Sequence, residues 1–280
     1  MDILLYNPLS RNGKKIKTIE KAIRSLSKTG QPVVSYSILD IVDKQAFIAS
    51  LNKNDRIIIV GGDGTINRLA NAIYQFSFPQ ELFMYQAGTG NDFIRSLRTK
   101  SKIVPIKMHI QKLPKVTYLD QERYFLNGVG AGLDGFIGHL VNHSRFKKNK
   151  LNYFRHAFEG FAKFKPIKAT IHMDGKTIRA EKLWFASMMN AAYFGGGMKI
   201  APRADRTRND LDLVVVQKVS KFLLFLIFPT IYLGLHVFFK RWVTIYRGQS
   251  IAIEFDHPTY LQIDGDVEYP IDRFTVQAFE

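Results

Sequence analysis

Apolar and polar positions follow different patterns in the two parts of this sequence. In the first part, short apolar runs alternate with segments whose apolar residues recur every three to four positions, which is typical of strands alternating with helices. This alternation predicts an open α/β sheet, and such sheets bind ligands at the carboxyl ends of their strands. The predicted strands are 2–6, 33–39, 57–60 and 82–86, and the predicted helices are 14–27, 42–51, 66–74 and 93–97.

Strand-like runs dominate the rest of the chain. Lone prolines and basic residues in 102–114 interrupt the earlier alternation and predict a linker, and Asp174-Gly175 between two later apolar runs predicts a hairpin turn. Several short strands with few helices favour a β-sandwich. We therefore expect an α/β domain over 1–115 and a β-sandwich domain over 116–280. The predicted strands are 116–119, 124–129, 167–173, 182–189, 211–217, 242–246, 250–255, 260–263 and 274–279, with helices near 132–142 and 152–162.

One segment, 222–239, is apolar at almost every position and predicts a helix. Its eighteen residues are at the lower limit for crossing a bilayer, but Pro229 in the middle and basic residues at both ends disfavour a span. Two interpretations stay open. The helix is either a buried connection between strands or an exposed element that docks on a membrane surface.

Composition narrows the chemistry and the partners. The sequence has no cysteine, which excludes a disulfide framework, a thiol nucleophile and a cysteine-bound zinc, and fits a reducing compartment. The 40 Lys and Arg against 24 Asp and Glu give a net charge of +16, which favours anionic partners. No nucleic-acid-binding motif accompanies this charge. We therefore expect no nucleic acid partner, and instead a cytoplasmic protein that attaches peripherally to the anionic inner face of a membrane.

The first candidate site is the glycine turn, Gly61-Gly-Asp-Gly-Thr65, which follows the apolar run 57–60 and precedes a predicted helix. Glycines let the backbone approach an anion, and the N–H groups and dipole of the helix N-terminus favour phosphate there. Asp63 is unexpected, since a carboxylate repels phosphate unless a divalent cation lies between them or the carboxylate orients a donor. The alternative is a tight turn with a purely conformational role.

The second candidate site is the acid turn, Asp264-Gly-Asp266, which places two carboxylates two residues apart after a strand. One of them is a candidate general base for a hydroxyl group. Taken alone, the same pattern also fits a solvated turn. The glycine turn, the acid turn and the segment Gly-Thr-Gly-Asn-Asp-Phe at 88–93 are together much more specific than any one of them.

With Asn7-Pro8 and the glycine-rich segments at 125–134 and 195–202, these motifs resemble the diacylglycerol kinase catalytic-domain family of bacterial soluble lipid kinases, which are related to sphingosine kinases. The resemblance covers nearly the whole chain. It implies an α/β nucleotide-binding domain similar to those of phosphofructokinases and NAD kinases, followed by a β-sandwich domain. It also implies a phosphotransferase with ATP and Mg²⁺ that phosphorylates a lipid hydroxyl, with diacylglycerol to phosphatidate as the expected reaction.

The resemblance also implies roles for particular residues. Asp264 is the expected base with Asp266 as the close second, and Asp63 organises Mg²⁺ and phosphate. A lipid at an anionic membrane surface is the expected partner, and a homodimer is left open. The expected nucleotide-binding residues are Asn7, Pro8, Leu9, Ser10, Arg11, Ser37, Gly61, Gly62, Gly64, Thr65, Ile66, Asn67, Arg68, Gly88, Thr89 and Asn91.

One departure from the family pattern concerns the metal. Arg208 stands where relatives carry a carboxylate for an accessory Mg²⁺. Either its guanidinium replaces the cation, or Asp205 and Asp210 rebuild the site from shifted places. Asp63 is the other expected metal residue. Two other functions stay open: a non-catalytic nucleotide- or lipid-binding regulator, which Arg208 motivates, and an NAD kinase, against which stands the absence of an Asn-Glu dipeptide from this sequence.

Overall fold

A computed structural model describes residues 1–8, 16–28, 30–86, 91–145 and 150–279 of the chain. The chain divides into two compact domains, Met1–Lys112 and Leu113–Glu280. The first domain alternates strands with helices, and the second is mainly antiparallel β-structure. Both architectures confirm the predicted fold class of an α/β domain followed by a β-sandwich domain.

The first domain is built on a five-stranded sheet with the strand order β2-β1-β3-β4-β5. The first four strands are parallel, and β5 runs antiparallel to β4 at the edge. The elements are β1 (Asp2–Tyr6), α1 (Ile16–Ser27), β2 (Val33–Ser37), α2 (Lys44–Ser50), β3 (Arg56–Val60), α3 (Asp63–Ile73), β4 (Glu81–Tyr85), α4 (Asp92–Ser96), β5 (Ile103–Pro105) and α5 (Lys107–Gln111).

The central strand β3 explains why the candidate site lies where it does. Its residues from Ile57 to Val60 are wholly buried, as expected for a parallel strand covered on both faces. Tyr6 at the end of β1 pairs with Val60, so these two neighbouring strands end at the same edge of the sheet. The residues that follow β1 and β3 are thereby brought to one place.

Two predictions in the first domain are wrong, one on where a helix begins and one on the nature of a segment. The helix after β3 begins at Asp63 and not at residue 66, so the glycine turn supplies the first helical residues. The segment 102–114 is no linker but contains β5 and α5. Strand β5 has only three residues and exists because it pairs with β4, a non-local contact that leaves Val104 and Ile106 buried in the core.

The second domain is an antiparallel sheet with the strand order β12-β11-β10-β8-β13-β14-β6-β7, and β9 pairs with both β10 and β13. Its elements are β6 (Lys115–Tyr118), β7 (Gln121–Tyr124), β8 (Gly128–Gly132), α6 (Leu133–Asn142), α7 (Lys150–Lys163), β9 (Ile167–Met173), β10 (Lys176–Met189), β11 (Leu211–Gln217), α8 (Lys221–Ile227), two 3₁₀ segments (Phe228–Leu233 and Leu235–Phe238), β12 (Val243–Gly248), β13 (Ser250–Ile263) and β14 (Asp266–Gln277).

Two long strands, β10 and β13, hold this domain together. Each has fourteen residues and pairs with β8 near one end and with β9 near the other. The four strands therefore enclose a core of aliphatic and aromatic side chains, among them Phe125, Ile171 and Ile253. The predicted hairpin at Asp174-Gly175 is confirmed, since both residues have positive φ and connect paired residues Met173 and Lys176.

The predicted strand 124–129 is wrong. It is interrupted between β7 and β8, because the backbone N–H groups of Leu126, Asn127 and Gly128 donate to the carboxylate of Asp264. A side chain far along the chain thus replaces a neighbouring strand as the acceptor for these groups.

The apolar segment 222–239 is not one continuous helix. Helix α8 ends at Ile227, and the chain continues as two short 3₁₀ segments. Pro229 lies at the start of the first 3₁₀ segment, and Gly234 ends it with a left-handed φ of 74°. Within the described residues, no helix is long and apolar enough to cross a membrane.

Candidate active site

The glycine turn lies at the carboxyl edge of the first sheet, beside the end of β1. Asn7 follows β1 and is buried, and its Nδ2 donates to Oγ1 of Thr65 at 3.4 Å. Ser37 ends the neighbouring strand β2, where it pairs with Tyr6. Polar groups from three adjacent strand ends therefore gather at one edge, as the alternation of strands and helices predicted.

The N-terminus of α3 is suited to hold phosphate. The first N–H groups of a helix lack intrahelical acceptors, and the N-cap Gly62 has no side chain to bond them. Among the described residues, a Cβ atom added at Gly62 or at Gly64 would meet no atom within 4 Å, so no described side chain crowds these two positions. The residues present therefore fit a phosphate group approaching the positive end of the helix dipole.

The Asp63 carboxylate accepts hydrogen bonds from backbone groups of its own domain. Its Oδ2 accepts from the N–H of Asp92 and its Oδ1 from the N–H of Phe93, both at 3.0 Å. These two N–H groups start helix α4, whose N-cap Asn91 also accepts from Ile94 N at 2.9 Å. Asp63 therefore joins the glycine turn to the segment after β4 and orients backbone donors, one of the two roles expected for it.

The remaining predicted nucleotide residues differ in their exposure. Ile66 and Asn67 are buried, the backbone carbonyl of Asn67 accepts from Asn71, and Arg68 and Pro8 are exposed. Ser37 is nearly buried, and its Oγ accepts from Leu39 N at 3.3 Å. The other predicted residues, Leu9, Ser10, Arg11, Gly88 and Thr89, lie outside the described residues.

In the second domain, the acid turn connects β13 to β14. Asp264 and Gly265 both have positive φ, 48° and 96°, which makes the reversal between the two strands tight. Asp264 is half-buried, and its carboxylate accepts from the N–H groups of Leu126, Asn127 and Gly128. Burial raises the pKa of Asp264, although these three hydrogen bonds and the Arg123 charge oppose that effect.

Asp266 is the accessible carboxylate of the acid turn. About half of its side chain, 51%, is exposed, and it forms an ion pair with Arg123. Asp264, in contrast, has both oxygens directed at backbone N–H groups. A substrate hydroxyl can therefore reach Asp266 more directly than Asp264, which favours the second of the two predicted bases.

The segment that holds Asp264 is itself fixed by buried polar residues that the sequence did not single out. Arg206 donates to the Leu126 carbonyl at 3.3 Å and to Oδ1 of Asn127 at 3.1 Å, and Asn190 donates to the same Leu126 carbonyl at 2.9 Å. Arg206 is only 7% exposed. A signal was present, because Asn127 belongs to the glycine-rich segment 125–134, but its partners come from distant parts of the chain.

A second buried group supports the acid turn. The Gly265 N–H donates to Oε1 of Gln262 at 2.9 Å, and Nε2 of Gln262 donates to Oδ2 of Asp134 at 3.1 Å. Ser187 donates to the same oxygen. Burial raises the pKa of Asp134 to about 6, although both hydrogen bonds favour its charged form.

The proposed accessory metal residues are occupied by protein groups. Oδ1 of Asp205 accepts from the backbone and hydroxyl of Thr207. Arg208 lies 3.0 Å from Asp210 and 3.3 Å from Asp212, as an ion pair that also includes Arg247. The described residues contain no group of three His, Asp or Glu side chains that could share one ion. The geometry favours the alternative in which the Arg208 guanidinium stands in the place of a cation.

The two domains define an α/β protein with an added β-sandwich domain, and the N-terminus of α3 at the sheet edge suits a phosphate group. Family models agree with both halves. A diacylglycerol kinase catalytic domain matches residues 3–117, and a YegS C-terminal NAD kinase beta sandwich-like domain matches residues 127–275. The chain belongs to the family of lipid kinases that combine these two domains. Membership in a kinase family implies the use of ATP.

Individual relatives cover almost the whole chain. A diacylglycerol kinase of Mycobacterium tuberculosis (strain CDC 1551 / Oshkosh) is 26% identical over 278 residues, covering 95% of this chain and 89% of the relative. A diacylglycerol kinase of Staphylococcus aureus (strain JH9) is 29% identical over 283 residues, covering 95% and 85%. The crystal structure of a diacylglycerol kinase from Bacillus anthracis str. Sterne has a TM-score of 0.63 at 18% identity, covering 99% and 94%, and it supports the fold.

Proposed function

We propose that this protein transfers the γ-phosphoryl group of ATP to the hydroxyl of diacylglycerol, forming phosphatidate. The observation that carries the proposal is the open, uncapped N-terminus of α3 beside Asn7 and Ser37. The named relatives supply the acceptor, since two of them are diacylglycerol kinases. Phosphoryl transfer needs mainly positioning and charge stabilisation, and these are what a helix N-terminus provides.

In this proposal the glycine turn binds the nucleotide phosphates. No described side chain lies within 4 Å of a Cβ position at Gly62 or Gly64, and Asn7 donates to the Thr65 hydroxyl. Asp63 keeps the segment after β4 in position through its two backbone hydrogen bonds. Mg²⁺ bound with ATP would supply neutralisation of the phosphate charge, and the proposal requires no separate protein cage for it.

Asp266 is the proposed base. It accepts the proton of the lipid hydroxyl as the oxygen attacks the γ-phosphorus, and the bond from that phosphorus to the bridging oxygen of ADP breaks. The support for this choice is accessibility: the Asp266 side chain is half exposed, whereas Asp264 is less exposed and its carboxylate accepts from three N–H groups. Asp264 then acts as the positioning residue that fixes the start of β8 against the acid turn.

The test is an acceptor panel with the full chain. Purified protein is incubated with Mg²⁺ and γ-labelled ATP, and diacylglycerol, sphingosine or NAD is added separately. Labelled phosphatidate as the main product would support the proposal. Labelled sphingosine phosphate or labelled NADP would contradict the acceptor, and retained ATP with no labelled product would favour the non-catalytic regulator.

A further inference from the structure

Exposed apolar side chains are concentrated in one short part of the second domain. Phe222, Leu226, Leu233, Leu235 and Phe238 are between 44% and 72% exposed, although they lie within seventeen consecutive residues, 222–238. Monomeric proteins usually carry exposed apolar residues singly, and a concentration of them indicates an interaction surface.

Part of this segment borders a groove. The groove has a volume of about 810 Å³ and lies between the second 3₁₀ segment and β12. Its apolar wall includes Leu233, Leu235, Phe238 and Ile245, which are all exposed. The size is that of sites that hold molecules as large as a lipid chain segment.

The groove is fixed by the core beneath it. Ile231 and His236 are buried, the Ile231 carbonyl accepts from Lys199 N at 3.0 Å, and Nε2 of His236 lies 2.9 Å from the Ile200 carbonyl. Gly234 places Leu233 and Leu235 on either side of a left-handed turn, and a Cβ atom there would lie 2.9 Å from Pro202. The exposed leucines are therefore held outward by a rigid local structure.

The charge around the groove is positive. Exposed Arg203 and Lys240 line it, and Arg241 follows immediately. No aspartate or glutamate occurs in the sequence between Asp212 and Glu254. Asp212, which also borders the groove, is paired with Arg208 and Arg247.

We propose that this groove binds an anionic phospholipid and thereby docks the second domain on an anionic bilayer. The leucine and phenylalanine side chains contact acyl chains, and Arg203 and Lys240 contact the phosphate of the headgroup. Trp242, half-buried beside the groove with Arg241 over its ring at 5.6 Å, then lies at the membrane interface, where aromatic rings of this kind are enriched. The one carboxylate given above at the groove, Asp212, is already paired with arginines, and the remaining positive charge favours an anionic bilayer over a second copy of this basic chain.

Vesicle sedimentation in the absence of ATP tests the docking without using kinase activity. The wild-type chain should sediment with vesicles containing phosphatidylglycerol much more than with pure phosphatidylcholine, and less at high salt. Leu233→Ser/Phe238→Ser should weaken binding on the order of a hundredfold, and Lys240→Gln/Arg241→Gln on the order of tenfold. The matched control is Val42→Ser/Met108→Ser, which removes two exposed apolar residues of the first domain.

Tryptophan fluorescence locates the contact. The chain has two tryptophans, and Trp184 is buried in the core with 1% exposure. Phosphatidylglycerol brominated on its acyl chains should quench the emission of the wild-type chain, and Trp242→Phe should lose this quenching. Equal vesicle binding by Leu233→Ser/Phe238→Ser and the control would overturn the proposal. So would concentration-dependent self-association that Leu233→Ser/Phe238→Ser abolishes while vesicles bind neither form.

Discussion

The glycine turn and the acid turn each contain an aspartate whose carboxylate accepts hydrogen bonds from backbone N–H groups. Asp63 accepts from two N–H groups at the start of α4, and Asp264 accepts from three N–H groups before and within β8. In both domains a carboxylate therefore fixes a second segment of chain beside the turn. Asp63 and Asp264, for which the sequence predicted direct roles in the reaction, both use their carboxylates in hydrogen bonds within their own domains.

The difference between the turns lies in what they leave exposed. The glycine turn presents backbone N–H groups at Gly62 and Gly64, which suit an anion. The acid turn presents the carboxylate of Asp266, which suits a proton. Carboxylates that accept from backbone N–H groups in the same way can therefore lie beside an anion-binding group or beside a base. The function of each turn depends on which neighbouring group stays accessible.

We expect the greatest loss of turnover from substituting one of the two aspartates of the acid turn, and the two substitutions should differ in kind. Asp266→Asn should lower turnover by roughly 10²- to 10⁴-fold, the usual contribution of a general base, with ATP binding and thermal stability unchanged. Asp264→Asn should instead destabilise the fold, because its amide nitrogen would face buried N–H groups. Turnover, ATP affinity and melting temperature measured on both variants distinguish these outcomes.

The control for this pair is Asp272→Asn, which removes an exposed carboxylate from the same strand β14. It should leave turnover and stability as in the wild type. If Asp266→Asn keeps full turnover while a stably folded Asp264→Asn loses it, the base is Asp264. The roles of the two aspartates would then be exchanged.

The second largest effect is expected of Asp134, a half-buried carboxylate that Gln262 connects to the acid turn. The contacts of the glycine turn given above include no such group. The folded pKa of Asp134, about 6, lies above its ordinary value of 3.8, so its contribution to stability is complete at low pH and is lost as pH rises through this range. The loss amounts to about 3 kcal/mol by pH 7. Asp134→Asn removes the titration and keeps an oxygen for Gln262 and Ser187.

Urea unfolding of both proteins between pH 4 and pH 7 measures this contribution. The unfolding free energy of Asp134→Asn minus that of the wild type should rise by about 2 kcal/mol across this interval, since part of the change has already occurred at pH 4. A difference that stays constant with pH would mean that Asp134 titrates alike in the folded and unfolded chain. It would also remove protonation as a feature that distinguishes the acid turn.

The sequence predicted the order of strands and helices better than the contacts of the site. The apolar run 57–60 marks a buried strand by its own composition, and the fold class is confirmed. The limits of other elements depend on distant residues: β5 exists through its pairing with β4, and the break at 125–127 exists through Asp264. Local patterns carry no information about such partners.

The same limit applies to the roles within the site. The motifs located both turns, but the choice between Asp264 and Asp266 depends on burial, which is a property of the folded chain. Likewise, the two expected roles of Asp63 could be separated only when the donors to its carboxylate, the N–H groups of Asp92 and Phe93, were visible. The ion pairs of Arg208 with Asp210 and Asp212 became visible only in the folded chain.

The third prediction tests whether Asp63 is an anchor comparable to Asp264. Asp63→Asn keeps one acceptor oxygen but turns an amide NH₂ toward the N–H of Asp92 or of Phe93. We expect a loss of about 1–3 kcal/mol in unfolding free energy. We also expect weaker ATP binding, since the segment after β4 is no longer held. Unchanged stability, measured by urea unfolding, would mean that the two turns are not anchored in the same way.

The smallest expected change is in ATP binding at the glycine turn, and it is tested by substituting two adjacent glycines. A Cβ atom at Gly62 meets nothing within 4 Å, so Gly62→Ala should fold normally. Its methyl group would, however, occupy the approach to the N–H groups of α3 and weaken ATP binding about tenfold, or ~1.4 kcal/mol. At Gly61 the added Cβ would lie 2.6 Å from Cβ of Thr65, so Gly61→Ala should lower stability itself.

Isothermal titration with ATP and thermal melting of the two alanine variants separate binding from folding. Normal melting with weakened ATP binding in Gly62→Ala, beside a lowered melting temperature in Gly61→Ala, would place the phosphate at the open N-terminus of α3. If Gly62→Ala binds ATP as tightly as the wild type, the phosphate lies elsewhere. The glycine turn would then be only a tight turn, and the acid turn would be the sole chemically active member of the pair.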